Sequence, residues 1–316
     1  EGFSSYMEQV GENCTEKSPA ETTVAAQVQL IDEAITQGCK SISISTNGDT
    51  GFDEVFAKAQ EKGVPIVSVD SSASADYRVT HNNQASTEDI GAMQVRAAVL
   101  QVLGVAYDPE DVTMEKTVEA ALADYDGDEI RLGVLSAGID TPVQNGWIAV
   151  MEKELQKDIY KGKVSPELNK KYGDDEATKS TTQAQAFLAE NNVDAIISPT
   201  TVGIAAAGEV LTQAKSDIKL TGLGLPSEMQ EYTGDDDAHS CPYFYLWDME
   251  GLGKLSAYAT MALVKGDITG AEDETFTAGD MGEFTITKAD DDGTEIVLGE
   301  PLQFTPDNVA DYAKLY

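Results

Sequence analysis

Short apolar runs rich in β-branched residues alternate with amphipathic runs along most of the chain. In the first clear helical run, Val24, Val28 and Ile31 recur at helical spacing, and Gly38 ends the run. The pattern predicts strands over residues 41–46, 64–70, 77–82, 130–135, 194–198, 218–223 and 243–247. It predicts helices over residues 3–10, 52–61, 88–103, 112–122, 143–157, 181–190, 204–214 and 252–264. This alternation favours an α/β fold with parallel sheets between helices.

The alternation is interrupted by an acidic stretch at residues 104–127 and restarts at Ile130. Two rounds of strand and helix predict two similar doubly wound lobes, and the tail is predicted to form a hairpin between residues 284–287 and 295–298. The chain begins inside a predicted helix, whereas such a lobe usually begins with a central strand. We therefore expect a leading strand and its loop to be missing from this sequence.

Composition and charge exclude several functional classes. The chain has 316 residues and is 41% hydrophobic, so it can bury a sizeable core. Its 21 Lys and Arg against 56 Asp and Glu give a formal net charge of −35, which makes nucleic acid a poor partner. No apolar run approaches the roughly 20 residues that cross a bilayer.

Signatures of catalysis and of metal binding are also absent from the sequence. It has neither a glycine-rich phosphate loop nor a nucleophile elbow, and its two histidines, His81 and His239, are too few for a histidine-rich zinc site. Asp124, Asp126 and Asp128 have the spacing of a calcium loop without its glycine, so we interpret them as a solvated turn. The three cysteines are read as small core residues. We expect no catalytic residue, no metal site and no cofactor.

Polar residues directly after the predicted strands are the candidate binding residues. Open α/β sheets bind ligands beyond the carboxyl ends of their strands, so residues from several strands meet there. The residues in this position are Asn47, Asp70, Gln144, Asn145, Pro199, Thr201, Trp247 and Asp248. Each alone could be a helix cap or a core residue, but their shared location favours a binding site.

The chemistry of these residues suits a small polyhydroxylated molecule. A carboxylate such as Asp70 accepts two hydroxyl hydrogen bonds, an amide such as Gln144 both donates and accepts, and an indole such as Trp247 covers the apolar face of a sugar ring. His81 is placed near a crossover of the chain, where a hinge role and a plain surface role are both open.

Several motifs give the chain a resemblance to type I periplasmic binding proteins, in the branch of the autoinducer-2-binding and rhamnose-binding proteins of ABC importers. The resemblance covers nearly the whole chain in order. Its motifs include Val69–Asp70–Ser71, Leu246–Trp247–Asp248, and the segments 27–32, 175–180, 194–199 and 304–312.

The resemblance implies two lobes that are joined by three crossovers and close on one ligand in the interlobe cleft. It implies an N-terminal lobe of residues 1–82 and 249–280 and a C-terminal lobe of residues 83–248 and 281–316. Asp70 matches the family's sugar-binding aspartate, and Gln144 matches a glutamine contact. Pro199 and Thr201 match positions whose main chain faces the ligand, and Trp247 takes the late crossover position.

Two departures from the autoinducer-2 binders bear on the ligand. Those proteins have Asp immediately before the glutamine, where this chain has Val143, and they use a lysine on the loop after the first strand, a segment that we expect to be missing from this sequence. Loss of a carboxylate favours a neutral deoxysugar such as rhamnose. Autoinducer-2 and another pentose or hexose remain the alternatives.

The resemblance also implies partners and location. We expect a monomer outside the cytoplasm, at the cell surface or in the periplasm, which delivers its ligand to an ABC permease and contacts the membrane only through an upstream lipid anchor.

Two other functions remain as alternatives. One is the effector domain of a sugar-responsive regulator, although the formal net charge of −35 argues against it. A glycosidase would need paired carboxylates, for which Asp70 and Asp248 are candidates, and we expect no turnover.

Overall fold

The computed structural model describes residues 2–10, 12–19, 23–48, 50–107, 113–139, 141–234, 236 and 238–315. The chain divides into two compact units, the first formed by Glu1–Ser86 and Trp247–Glu300 and the second by Thr87–Leu246 and Pro301–Tyr316. The chain therefore passes from one unit to the other three times.

Helices and strands alternate through both units. The helices are α1 Gly2–Gln9, α2 Val24–Thr36, α3 Asp53–Glu61, α4 Thr87–Val102, α5 Met114–Ala123, α6 Pro142–Glu154, α7 Ala177–Glu190, α8 Thr201–Ala214, α9 Pro226–Met229, α10 Met249–Lys265 and α11 Val309–Tyr312. The strands are β1 Ile42–Ile44, β2 Ile66–Val69, β3 Arg78–Asn83, β4 Leu132–Ser136, β5 Asn169–Tyr172, β6 Ala195–Ser198, β7 Lys219–Gly222, β8 Phe244–Leu246, β9 Thr275–Thr277, β10 Glu283–Thr285, β11 Thr287–Lys288, β12 Thr294–Val297 and β13 Leu302–Phe304.

The first unit is built on a five-stranded sheet in the order β1-β2-β3-β12-β11. All its neighbours pair in parallel except β11, which is antiparallel to β12. Apolar residues of α2, α3 and β2 form one core cluster, and residues of α10 and β12 belong to another. Parallel sheets are covered on both faces, which explains why the β2 run Ile-Val-Ser-Val is apolar with little alternation.

The amino-terminal part of the first unit packs on α10. Met7 of α1 contacts Ala257 and Met261, and a Cβ at Gly2 would lie 2.0 Å from the Glu250 carbonyl oxygen, so only glycine fits this approach. A cavity of about 820 Å³ is lined by residues of α1, α2, β1 and α10. Among the described residues no strand precedes β1, and the expected leading strand stays a prediction.

The second unit is built on a parallel four-stranded sheet in the order β5-β4-β6-β7. Residues such as Val95 of α4, Val134 of β4 and Leu220 of β7 are fully buried and form its core. The two strands β8 and β13 form a separate antiparallel pair. In a parallel sheet all strands end at the same edge, and this edge carries the loops after β4, β5, β6 and β7.

The α/β class with parallel sheets is confirmed, and α2 has the predicted boundaries, with the Thr23 hydroxyl accepting from the Ala26 N–H and Gly38 in a left-handed conformation. The predicted tail hairpin is formed by β11 and β12, which pair antiparallel with Thr287 opposite Glu295, whereas Phe284 pairs with β9. The assignment of the tail to the second lobe differs from the structure, because β12 also pairs with β3 and residues 281–300 lie in the first unit.

Two side-chain expectations are wrong. Cys14 is exposed and therefore not a core residue, whereas Cys39 is half-buried against a core cluster and Cys241 is buried. His81 is buried in β3, which contradicts a surface role.

Candidate functional site

The residue directly after β2, Asp70, has a strained backbone. Its φ of 61° is left-handed, a conformation that costs a non-glycine residue about 1–2 kcal/mol. The exposed Asp70 side chain accepts a hydrogen bond from the Ser45 hydroxyl at 3.4 Å. Surrounding protein atoms nevertheless desolvate this carboxyl in part, which raises its pKa, and the Ser45 hydrogen bond acts against that rise. Strain at the carboxyl end of a parallel strand is typical of functional residues.

The loop after β1 is held beside Asp70 by a buried glutamine. Gln27 of α2 donates from its amide nitrogen to the Ser45 carbonyl oxygen at 2.8 Å, and its amide oxygen accepts from the Asn47 backbone N–H at 2.8 Å. The Asn47 side chain is exposed. Gln27 was not predicted from the sequence, where its signal is a glutamine within the apolar stripe of α2.

Trp247 and Asp248 follow β8, and the structure gives them different surroundings. Trp247 is half-buried. Asp248 is the N-cap of α10, where its Oδ1 accepts from the Gly251 N–H at 2.9 Å. Capping is the local role that the structure shows for Asp248, and its ligand role stays a prediction.

In the second unit, Gln144 joins the loops after two neighbouring strands. Its amide oxygen accepts from the Ser136 hydroxyl at 2.6 Å and from the Ala137 N–H at 2.8 Å, and its amide nitrogen donates to the Pro199 carbonyl oxygen at 3.2 Å. Gln144 is 7% exposed. Its side chain therefore braces the ends of β4 and β6, a role that the sequence did not show.

The residues on either side of Gln144 in α6 are exposed. Asn145 donates from its side-chain amide to the Ile139 carbonyl oxygen at 2.9 Å, which fixes the loop before α6. Val143 is 52% exposed and Ile139 is 64% exposed. The carboxyl edge of the second sheet thus presents apolar surface beside the glutamine brace.

The loop after β6 carries the other predicted residues of the second unit. Pro199 is buried, and the half-buried Thr201 begins α8. Between them, the Thr200 hydroxyl donates to the carboxylate of Asp175, a residue of the loop after β5. Asp175 was not among the predicted binding residues, because β5, the strand before it, has no apolar pattern by which to recognise it.

The structure brings the predicted residues together within each unit only in part. Asp70 and Asn47 lie on adjoining loops of the first unit, and Gln144 contacts Pro199 in the second. Asp248 and Asn145 have local structural partners instead. In the described part of the chain no group of three or more His, Cys, Asp or Glu side chains could hold a metal ion, and no helix is both long and apolar enough to cross a membrane.

Comparison with known proteins shows the family. The periplasmic binding protein domain matches residues 1–268. An ABC transporter solute-binding protein from Clostridium phytofermentas, solved with bound L-rhamnose, is 38% identical, with a TM-score of 0.78 over 100% of this chain and 92% of that one. A sugar ABC transporter protein from Actinomyces odontolyticus is 31% identical, with a TM-score of 0.80 over 98% of this chain and 91% of that one.

A more distant structure has the same fold. LsrB from Clostridium saccharobutylicum, solved in complex with AI-2, is 21% identical, with a TM-score of 0.73 over 98% of this chain and 93% of that one. The family consists of substrate-binding proteins. On the match to its domain and the similarity to two solved members, the chain belongs to the type I periplasmic binding proteins, the solute-binding proteins of ABC importers.

Proposed function

We propose that this protein binds a small neutral sugar of the rhamnose type outside the cytoplasm and delivers it to an ABC permease. The observation that carries the proposal is Asp70, an exposed carboxylate in a strained conformation at the carboxyl end of β2. A carboxylate accepts hydrogen bonds from two neighbouring hydroxyl groups, which is the arrangement that a sugar diol offers.

We further propose six contact residues for this sugar. Asp70, Asn47 and Trp247 belong to the first unit, and the indole of Trp247 suits the apolar C–H face of a pyranose. Gln144, Pro199 and Thr201 belong to the second unit, where the Gln144 brace fixes the main chain at Pro199. Asn145 and Asp248 are the weaker candidates, because their side chains have local structural bonds.

The preference for a deoxysugar is supported by the exposed apolar surface at Val143 and Ile139. A methyl group gains from contact with such surface, by about 0.8 kcal/mol per buried carbon, whereas an additional hydroxyl would need a polar partner. The solute-binding protein that is 38% identical was solved with L-rhamnose, which agrees with this chemistry. Autoinducer-2 is the alternative ligand.

The proposal extends to partners and location. The protein acts as a monomer, and contact with the membrane is made through a lipid anchor upstream of the residues in this sequence. Its formal charge of −35 keeps the monomer soluble by self-repulsion.

A thermal-shift panel with the purified protein tests the ligand assignment. Rhamnose, ribose, arabinose, galactose and autoinducer-2 are each added in excess, and a ligand at 100 times its dissociation constant stabilises the folded state by about 2.7 kcal/mol. L-Rhamnose should give the largest rise in the unfolding midpoint. If none of these compounds moves the midpoint, the sugar assignment is wrong.

The variant Val143→Asp, measured with the same panel of ligands, tests the role of Val143 in ligand preference. The new carboxylate should weaken the response to rhamnose and strengthen the response to autoinducer-2, because a diol-rich ligand gains an acceptor. Leu315→Asp is the matched control, since Leu315 is 66% exposed in the same unit and the substitution adds the same charge. An unchanged ranking of ligands in Val143→Asp would contradict the role given to Val143.

A further inference from the structure

The loop after β5 contains two consecutive aspartates in the left-handed conformation. Asp174 has φ 52° and Asp175 has φ 53°. The backbone of the loop is attached to the end of β4, because the Gly173 N–H donates to the Ser136 carbonyl oxygen and the Asp174 N–H donates to the Ala137 carbonyl oxygen, both at 2.9 Å. The loop is therefore fixed at the same edge of the sheet as Gln144.

The two aspartates differ in their partners. Asp174 forms an exposed ion pair with Lys179 at 2.9 Å, and such pairs contribute little to stability. Asp175 accepts a hydrogen bond from the hydroxyl of Thr200, a residue that is 9% exposed and directly precedes α8. Of the two aspartates, Asp175 is thus the one bonded to the segment that joins β6 to α8.

Thr200 is an N-cap residue that does not cap its helix with its side chain. It has the extended backbone of an N-cap, with φ −154° and ψ 138°, but its hydroxyl makes no capping hydrogen bond to α8. In the first unit Thr23 shows the usual arrangement, where the hydroxyl oxygen accepts from the Ala26 N–H at 3.2 Å. The Asp175 carboxylate turns the Thr200 hydroxyl away from the helix.

The segment 199–201 is consequently held from two sides. Gln144 donates to the Pro199 carbonyl oxygen at 3.2 Å, and Asp175 holds the Thr200 side chain. The packing beneath is close, since a Cβ at Gly203 would lie 2.4 Å from the Ser198 Oγ. The position of Thr201 is therefore constrained through the two residues before it in the chain, Pro199 and Thr200.

We propose that Asp175 is a positioning residue for sugar binding: through its hydrogen bond to Thr200 it fixes the segment of Pro199 and Thr201 in the geometry that receives the ligand. This inference rests on the proposed function. It predicts that loss of the bond weakens binding although neither Asp175 nor the Thr200 hydroxyl needs to touch the sugar.

The test compares binding of L-rhamnose, by titration calorimetry, in matched variants. Asp175→Ala and Asp174→Ala each remove one exposed carboxylate from a left-handed residue, so their strain and charge effects are alike. Thr200→Val removes the hydroxyl, and Thr200→Ser retains it. We expect Asp175→Ala and Thr200→Val each to weaken binding by about tenfold, and Asp174→Ala and Thr200→Ser to stay within about twofold of the wild type.

The double variant Asp175→Ala/Thr200→Val should bind like either single variant, because both changes remove one bond. Two outcomes would overturn the inference: Asp175→Ala binding as Asp174→Ala does, or losses that add in the double variant.

A measurement without ligand separates this inference from the proposed function. Amide hydrogen exchange over residues 200–203 should be faster in Asp175→Ala and Thr200→Val than in the wild type, and unchanged in Asp174→Ala and Thr200→Ser. If the wild type binds no sugar but exchange follows this order, the proposed function fails and the positioning bond stands. Equal exchange in all variants would refute the positioning role whatever the ligand.

Discussion

At the residue scale, His81 shows how burial sets the charge state of a side chain. It lies in β3, is 6% exposed, and has its Nδ1 3.0 Å from the Ser68 hydroxyl oxygen. Desolvation, with the nearby Arg78 guanidinium, lowers the pKa of His81 to about 4. The imidazole is therefore neutral in the folded protein at neutral pH.

This pKa predicts a loss of stability in acid. In the unfolded chain His81 takes up a proton near its ordinary pKa of about 6.5, whereas the folded protein resists until about pH 4, so the unfolding free energy falls as the pH decreases through this window. Protonation of His81 in the unfolded chain should lower the unfolding free energy by roughly 3 kcal/mol between pH 7 and pH 4. Urea unfolding across this pH range measures the loss.

The variant His81→Gln isolates this contribution. Desolvation raises the pKa of the Asp70 and Glu295 carboxyls, and these groups act in the opposite direction because they favour the folded state as they gain protons. The contribution of His81 should therefore equal the difference between wild type and His81→Gln in how the unfolding free energy changes with pH. Parallel pH curves for the two proteins would contradict it.

Candidate residues at strand ends could be predicted from sequence because a parallel sheet places them at one edge. Their partners could not. Gln144 was predicted as a contact, but its brace between Ser136 and Pro199 depends on the distance between two strands that pair in the folded sheet. Asp248 was predicted as a contact and caps α10, a role that any Asp before a helix could take.

At the element scale, long helices and buried strands were predictable and polar edge strands were not. The apolar periodicity of α2 and α8 and the apolar run of β6 match the predicted elements. β5 reads Asn-Lys-Lys-Tyr, at the edge of its sheet, and carries no apolar signal. Because β5 was missed, Asp175 could not be placed at the carboxyl edge of the sheet from sequence alone.

The junction of β6 and β7 depends on a glycine. Gly222 has φ 148°, and a Cβ there would lie 1.9 Å from the Ser198 carbonyl oxygen, which accepts from the Leu223 N–H at 2.9 Å. Gly222→Ala should lower the unfolding free energy by about 2–4 kcal/mol, because the main chain has to move.

Gly162→Ala is the control for this prediction. Gly162 has φ 70° in the same unit, and no described heavy atom lies within 4 Å of its added Cβ, so only the left-handed conformation is penalised, by about 1–2 kcal/mol. Urea unfolding of both variants gives the comparison. Equal losses would show that close contact with Ser198 contributes nothing at Gly222.

At the scale of the whole molecule, the order of elements and the family motifs were sufficient to predict two α/β lobes and the type I periplasmic binding fold. The assignment of the tail was not predictable, since residues 281–300 return to the first unit through the pairing of β12 with β3, which are far apart in sequence. Long-range pairing of this kind leaves no local pattern in either strand.

Titration calorimetry of L-rhamnose with the wild type and Asp70→Asn tests the central claim most directly. Asparagine tolerates the left-handed conformation, so the variant should fold while losing the charged acceptor. The control is Asp76→Asn, at an exposed turn residue of the same unit. We predict saturable binding of one sugar per wild-type chain, binding weaker by about 10- to 100-fold in Asp70→Asn, and no change in Asp76→Asn. Equal affinity in all three proteins, or no binding by the wild type, would contradict the claim.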